Sequence, residues 1–412
     1  MFCTLTEVFL LRLVNNPNNL QFIHLLPIAI GITILKMKKT ALSILTSLLI
    51  VSGVYGQHTI VVSNNSGYDR KGEMVEVNIA SLKVSFEKKT YILKNKSNKE
   101  VGYQIMYNGT KKPQSLIFPA DVKARSSADY SLSAGKPAVV TPKTFARFVP
   151  ERKDDFAWEN DIAAYRMYGP ALANENPSNG VDFWSKSTDK LVVDQRYKDD
   201  IYNGISYHID HGQGLDFYKV AHTLGCGGIA PYATGKLWVG DHFSSYRVIE
   251  VGPLRSVFEL TYDSVKVGKV TYKEVLTITT TAGSMLNKGV VKFTGPAQKI
   301  ELAAGIAIHD GKGTWKQNIA NGTSGYAEEA VSDANVPAGR NYIGVYIPAK
   351  GIKAVKDAEN VLITASYKVG EPFTYYFGGG WSKWIYPTDA DWFKALNRFS
   401  EQNRNPLKVT VK

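Results

Sequence analysis

Alternating polar and hydrophobic residues mark most of the chain after residue 57 as β-strand. Residues 73–79 read Glu-Met-Val-Glu-Val-Asn-Ile, and this period of two is typical of a strand with one buried face. The same pattern predicts further strands at 90–95, 101–107, 254–262, 270–280, 342–347, 361–367 and 407–411. The polar linker between the first two of these predicts that they form a hairpin.

Helical periodicity is strongest at 388–399. Thr388 is a suitable N-cap, Asp391 follows three residues later, and Trp392, Leu396 and Phe399 share one face, which together predict an amphipathic helix. Elsewhere the chain is rich in short strands and turn residues, and this combination predicts an all-β fold.

The alternation is interrupted near 135–142 by Gly, Pro and Lys residues. We therefore predict a smaller N-terminal β-sandwich region at 57–140. The remainder, 141–412, is predicted to form a large, supersandwich-like β-sandwich that carries the chemistry.

The first 56 residues are predicted to lie outside the folded protein. Met-Lys-Lys-Thr at 37–40 precedes an apolar run at 41–51 and small residues at 52–56, which is the order of a secretory signal peptide. We interpret 37–56 as that signal and 1–36 as an extension of the gene model. The expected location is the periplasm, with no membrane contact after cleavage.

A membrane anchor that includes the apolar stretch 22–35 is the alternative interpretation. Such a span needs about 20 continuous apolar residues. Pro27 and the lysines between 36 and 39 interrupt the stretch, and this favours the signal peptide.

Composition excludes several classes of protein. Of 412 residues, 44% are hydrophobic and 21% are charged, which is ordinary for a globular protein and unlike a disordered, collagen-like or multi-span membrane chain. Two cysteines cannot build a disulfide scaffold. The net charge of +12 is not concentrated in Lys/Arg runs, so we expect no nucleic-acid partner. It suits an anionic partner, although charge alone does not separate this from a basic protein with no functional field.

Charged and aromatic residues concentrate at 147–170. This segment holds three Arg, five carboxylates, one Trp and two Tyr. Arg147 and Arg166 are candidates for holding a carboxylate or sulfate, because a guanidinium binds such groups through two parallel hydrogen bonds. Trp158 offers a face to a sugar ring. The alternative is a solvated charged loop followed by a strand with an ion-pair network.

A second unusual segment is 207–228. His208 and His211 lie three residues apart, with Asp210 and Asp216 nearby, so a divalent metal site is one interpretation. The glycines around them indicate a loop, and this leaves the geometry open.

Proton transfer is the sharper interpretation of the same segment. Histidine exchanges a proton near neutral pH, and Tyr218 or Tyr207 could serve as the second acid or base. The alternative is two histidines that are hydrogen-bonded in a rigid loop. Cys226, which has no further catalytic pattern, is expected to be a packing residue, and His309 is expected to lie at a strand end and turn.

Segments 147–170, 207–228 and 376–383 resemble signature blocks of an uncharacterised-domain family from polysaccharide-utilisation loci of Bacteroidota. Within it they are similar to the ulvan oligosaccharide dehydratases of marine flavobacteria, over nearly all of the chain after the signal. The resemblance implies a hydro-lyase that removes water from a non-reducing-end glucuronate or iduronate and leaves a 4,5-unsaturated uronate. The expected partner is an anionic, uronate-containing oligosaccharide, whether or not it carries sulfate.

That reaction needs a base for the C5 proton, an acid for the C4 oxygen and positive charge near the carboxylate. We predict His208 and Tyr218 as the base and acid, in either order, with His211 as a reserve. No cofactor is expected to be required, with a divalent metal as an alternative source of positive charge. The predicted substrate-binding residues are Arg147, Arg166 and Lys219 for the carboxylate, and Trp158 and Glu159 for the sugar.

Three other functions remain open at this stage. A β-elimination lyase removes the same proton but expels a sugar. A glycoside hydrolase uses two carboxylates, for which residues at 154, 155, 159 and 161 are available. A non-catalytic glycan-binding protein would keep the aromatic and Arg residues but would not need His208 or Tyr218.

Overall fold

A computed structural model describes residues 58–174, 178–331 and 336–412. The predicted gene-model extension and signal peptide lie outside these residues. The described part is predominantly antiparallel β-sheet, which confirms the all-β fold class.

The strands fall into two groups along the chain. The first ten are β1 (His58–Asn64), β2 (Arg70–Asn78), β3 (Tyr91–Asn95), β4 (Gln104–Met106), β5 (Ser115–Val122), β6 (Ser126–Ala134), β7 (Thr144–Val149), β8 (Asp155–Asn160), β9 (Ala164–Met167) and β10 (Asp182–Trp184). The remaining ones are β11 (Cys226–Ala233), β12 (Lys236–Leu237), β13 (Ser245–Val251), β14 (Arg255–Val267), β15 (Val270–Thr281), β16 (Asn287–Thr294), β17 (Lys299–Ala307), β18 (Thr314–Asn318), β19 (Thr323–Val331), β20 (Pro337–Tyr346), β21 (Lys353–Lys356), β22 (Asn360–Lys368), β23 (Phe373–Trp381) and β24 (Lys408–Val411).

Helices are short or lie on the outside of the sheets. The α-helices are α1 (Ile79–Leu82), α2 (Val193–Asn203) and α3 (Asp389–Arg404), and single 3₁₀ turns occur at Pro150–Arg152, Pro170–Leu172 and Ile319–Asn321. Within the described part of the chain, no helix has the length and apolar character that a membrane crossing needs.

A small sandwich is built from two sheets with the orders β24-β1-β6-β3 and β2-β5-β4. Its core contains Ile60, Leu93, Phe118 and Leu132, all fully buried. Strand β24 pairs with β1 through Ile60 and Val411. The last strand of the chain therefore completes the N-terminal sandwich, whereas the sequence pattern grouped it with the large one.

The predicted hairpin at 90–107 forms only at its turn. Lys94 and Glu100 make a single bridge, after which β3 pairs with β6 and β4 pairs with β5 in the other sheet. The strand predictions were right and the pairing was wrong, because alternation identifies a strand but not its neighbour.

A large sandwich follows, in which an eight-stranded sheet packs on a five-stranded one. Their orders are β13-β14-β15-β16-β23-β20-β19-β18 and β12-β11-β17-β22-β21. Gly227 lies where they approach closely, since a Cβ there would be 2.5 Å from the Cβ of Phe377, and its φ is +93°. Any larger side chain would separate the two layers at this point.

A four-stranded sheet, β10-β9-β8-β7, forms a third layer on the large sandwich. Alternate residues of β8 point in opposite directions, so Phe156 and Trp158 pack into the core against Phe258. The other face carries Asp155 and Glu159, and it is covered by α2 and the irregular segment 204–225. This covered face positions the candidate site.

Helix α3 confirms the sequence prediction at 388–399. The Thr388 side chain accepts a hydrogen bond from the Asp391 backbone, as an N-cap does. Trp392 and Leu396 pack on the face of the eight-stranded sheet that points away from the five-stranded one. The helix continues to Arg404, beyond the predicted end.

Helix α2 was not predicted. Its N-terminus is capped from a distance, because Glu159 Oε1 accepts hydrogen bonds of 2.8 Å from the backbone nitrogens of both Val192 and Val193. No residue next to the helix supplies this cap, so the usual sequence signal for a helix start is missing.

Candidate functional site

The covered face of the four-stranded sheet carries charged residues in one row across the strands. The pairs are Arg147 with Ala157, Ala157 with Arg166, and Arg166 with Asp182. Cross-strand partners share a face, and neighbouring strands lie about 4.8 Å apart. Arg147 is therefore two strands, or about 10 Å, from Arg166.

Arg166 is held by three carboxylates beneath this cover. Its Nε donates to Asp182 Oδ2 at 2.6 Å, Nη1 to Asp155 Oδ2 at 3.2 Å and Nη2 to Asp216 Oδ2 at 2.9 Å. Nη1 also lies 3.3 Å from the phenol oxygen of Tyr207. We call these five residues the Arg166 cluster.

Burial and mutual repulsion set the protonation of this cluster. Burial is the main cause that raises the pKa of Asp155 and, much further, that of Asp216, and the charge of Asp182 adds to both. Burial acts to lower the pKa of Arg166, but the three carboxylates outweigh it and the pKa is raised well above its ordinary value. Arg166 therefore stays charged, and its donors are already used within the protein.

Replacing Arg166 with Met should destabilise the fold by about 3–5 kcal/mol, the usual cost of leaving a buried charge without its partner. Unfolding in urea measures this change. Arg147→Met is the matched control on the same row, because its side chain is 28% exposed and pairs with Glu151 and Asp194 near the surface. Equal losses in the two variants would contradict a central role for Arg166.

His208 lies at the edge of the cluster. Its ring packs 4.6 Å from that of Tyr207, whose phenol oxygen accepts a 2.9 Å hydrogen bond from Arg152 Nε. His208 Nδ1 is 2.7 Å from the backbone oxygen of Asp216. Because a carbonyl oxygen only accepts, Nδ1 carries the hydrogen and the neutral ring has its lone pair on Nε2. With 38% of its side chain exposed, His208 can serve as a proton acceptor between the cluster and solvent.

Tyr218 follows Asp216 by two residues and is buried. Its hydroxyl has no hydrogen-bond partner among the residues that the structure describes, which is uncommon for a buried polar atom. Burial is the main cause that raises the pKa of Tyr218 well above its ordinary value, with smaller contributions from Cys226, Glu328 and Asp182. The phenol therefore keeps its proton at neutral pH and is suited to donate it.

His309 packs edge-on against Tyr218, with ring centroids 4.9 Å apart. Its Nδ1 is 2.5 Å from Glu328 Oε1, and its Nε2 is 2.6 Å from the backbone oxygen of Lys219. Burial acts to lower the pKa of His309, but the hydrogen bond and charge of Glu328 outweigh it and the pKa is raised. His309 is thus a fixed cation, where the sequence suggested only a strand end and turn.

Asp182 joins the two groups of residues. Its Oδ2 accepts from Arg166 and also from the Tyr168 hydroxyl at 3.1 Å, and its charge acts on Tyr218. We call Tyr168, Tyr218, His309 and Glu328 the Tyr218 site. The structure therefore brings Arg166, His208 and Tyr218 from two distant segments into one polar network.

Other predicted residues lie elsewhere. Trp158 is fully buried in the core, and its Nε1 donates to Asn287 at 3.2 Å. Glu159 is also buried, where it pairs with Lys186 at 2.7 Å and caps α2. Both residues stabilise the interior, and their placement argues against direct contact with a sugar. The alternation of Phe156 and Trp158 in the sequence was a signal of this orientation.

Lys219 and His211 are exposed. Lys219 lies at the rim of the Tyr218 site, since its backbone oxygen holds His309. His211 lies on the outer loop with its Nε2 3.0 Å from the backbone oxygen of Ser206. Across the described ranges, no group of three or more His, Cys, Asp or Glu side chains is arranged to hold a metal ion.

Comparison with known proteins identifies a family. A family model described as "Domain of unknown function (DUF4861)" matches residues 62–409. "Uncharacterized protein P7" of Formosa agariphila is 30% identical over 314 residues, which cover 72% of this chain and 78% of that protein. This agrees with the uncharacterised marine Bacteroidota family that the sequence blocks suggested.

Two solved structures are distantly similar. A protein in glycosyl hydrolase family 38 from Enterococcus faecalis gives a TM-score of 0.45 at 9% identity, covering 86% of this chain and 47% of that one. An alpha-mannosidase from Enterococcus faecalis V583 gives 0.37 at 8% identity, covering 86% and 46%. The chain thus spans about half the length of either structure.

Proposed function

The chain belongs to the DUF4861 family, and we propose that it is an oligosaccharide dehydratase acting on a saturated uronate at the non-reducing end of an ulvan-type oligosaccharide. The observation that carries this proposal is the buried, unpartnered hydroxyl of Tyr218 beside the cationic His309. Through Asp182 the same network reaches His208. A proton donor, a proton acceptor and fixed positive charge are what removal of water from a uronate requires.

In the proposed reaction, His208 Nε2 takes the C5 proton. The C5–H electron pair forms the C4–C5 double bond, and the C4–O bond breaks. Tyr218 donates its proton to the departing oxygen, which leaves as water, and the proton on His208 returns to Tyr218 through solvent. Positioned acids and bases each accelerate such steps by about 10²–10⁴-fold.

Negative charge grows on the substrate carboxylate as the C5 proton leaves. His309 and Lys219 are the cations that we assign to it, because His309 is fixed by two hydrogen bonds and Lys219 lies at the rim. Stabilising charge that develops in the transition state is commonly a large catalytic contribution. Arg166 is a positioning residue, since it holds Asp216 and Tyr207 behind His208.

We also propose that the protein works in the periplasm after loss of the signal peptide, and that it needs no cofactor because its own side chains supply both proton transfers. Adding a chelator to the assay tests the alternative of a divalent metal.

Incubating the purified protein with saturated uronate-ended oligosaccharides should lower their mass by one water and leave chain length unchanged. Mass spectrometry, with the ultraviolet absorbance of the conjugated product, measures both. Each rival function predicts a different product. A β-elimination lyase would yield shorter fragments, a hydrolase would yield fragments that together gain one water, and a binding protein would leave the mass unchanged. Any of these three results would contradict the dehydratase proposal.

A further inference from the structure

A second candidate site is an open cleft of about 660 Å³ between the two sandwiches and helix α3. It lies on the face of the eight-stranded sheet that also packs against α3, beside β2 of the small sandwich. Its volume is within the range of about 300–1,000 Å³ that is usual for ligand pockets.

The floor of the cleft is a row of side chains across four strands. Val257 pairs with Thr279, Thr279 with Lys288, and Lys288 with Tyr376. Cross-strand partners share a face, so a hydroxyl, an ammonium and a phenol ring lie side by side. This combination of an aromatic ring with polar groups is suited to a sugar, which has both apolar faces and hydroxyls.

The walls of the cleft carry more positive than negative charge. Its two carboxylates are already paired, since Glu76 Oε2 is 2.7 Å from Arg255 and Glu73 binds Arg70 in a two-point contact. The cations that line the cleft are Lys71, Arg255, Lys288 and Arg398.

Three of these cations are available to a ligand. In the described part of the chain, neither Lys71 nor Lys288 has a carboxylate within 4 Å of its ammonium. Arg398 is 3.9 Å from Glu401, and its buried Nη1 has no hydrogen-bond partner in the same residues. A guanidinium nitrogen without an acceptor is a direct sign that an anionic group fits here.

We propose that this cleft binds an internal segment of an anionic oligosaccharide through its carboxylate or sulfate groups. The substrate class rests on the proposed function, but the site is separate from the Tyr218 site. Strand β8 links them, with Asp155 at the Arg166 cluster and Asn160 bound to the backbone of Thr281 and Ser284 in the cleft wall. Five residues of strand separate these ends by about 16 Å.

Fluorescence anisotropy with labelled oligogalacturonate, dextran sulfate and neutral dextran of equal length tests this proposal. The unmodified protein should bind at least one anionic probe and not the neutral one, and added salt should weaken binding. Lys71→Ala/Lys288→Ala should weaken anionic binding at least tenfold. The matched control is Lys353→Ala/Lys368→Ala, which removes the same charge from exposed positions on the five-stranded sheet.

The two anionic probes show whether carboxylate or sulfate is recognised, and either result supports the cleft. Equal binding by the two double variants, or equal binding of the neutral probe, would overturn the proposal. His208→Ala should keep full probe binding. Binding without any loss of water from the substrate would therefore reject the dehydratase and leave the cleft site standing.

Discussion

Replacing Tyr218 with Phe should lower the rate of uronate dehydration by about 10²–10⁴-fold and leave the fold intact. The hydroxyl is buried and makes no hydrogen bond within the described residues. Its removal therefore deletes the proposed proton donor without breaking an internal contact. Measuring kcat/KM from the absorbance of the unsaturated product, together with thermal unfolding, separates the two effects.

Tyr375 provides a matched control. Its hydroxyl is also buried without a partner within the described ranges, but it lies in the core of the large sandwich. Tyr375→Phe should leave the rate unchanged, whereas His208→Ala should lower it as much as Tyr218→Phe does. Wild-type turnover by Tyr218→Phe would end the proposed assignment of acid and base.

Replacing Glu274 with Gln should make stability much less dependent on pH. Burial raises the pKa of Glu274 from 4.5 to about 8, and its Oε2 has no hydrogen-bond partner in the described part of the chain. The folded protein keeps this proton between those pH values, while the unfolded chain releases it. Stability is therefore lost as pH rises through this window, by about 5 kcal/mol if the whole shift is realised.

Urea unfolding at pH 5 and pH 9 measures this difference. The wild type should lose stability between them, and Glu274→Gln should lose far less because an amide does not ionise. Glu371→Gln removes an exposed carboxylate that pairs with Lys368 on the surface, and it should behave like the wild type. The same pH dependence in all three proteins would show that Glu274 ionises at its ordinary pKa.

Much of the candidate site was visible in the sequence because unusual residues cluster along the chain. Arg166, His208 and Tyr218 lie in two dense segments, and the structure joins those segments through Asp182 and Asp216. The density of a segment does not say which side chains face inward. This is why Trp158 and Glu159 were expected at a sugar and lie in the interior.

His309 and Glu328 carry no local signal. His309 meets Lys219 across 90 positions of sequence, and Glu328 lies on another strand of the large sandwich. Only the packing of the sheets brings them to Tyr218. The same is true of the cleft, whose cations come from the small sandwich, the large sheet and α3.

The sequence by itself determined the elements. Alternation identified the strands, and an N-cap with one apolar face identified α3, because these patterns depend on residues a few positions apart. The tertiary structure alone decided that β24 closes the first sandwich, that β3 and β4 part company, and that His309 lies against Tyr218. Those outcomes depend on contacts between distant residues, for which pairing and packing compete across the whole chain.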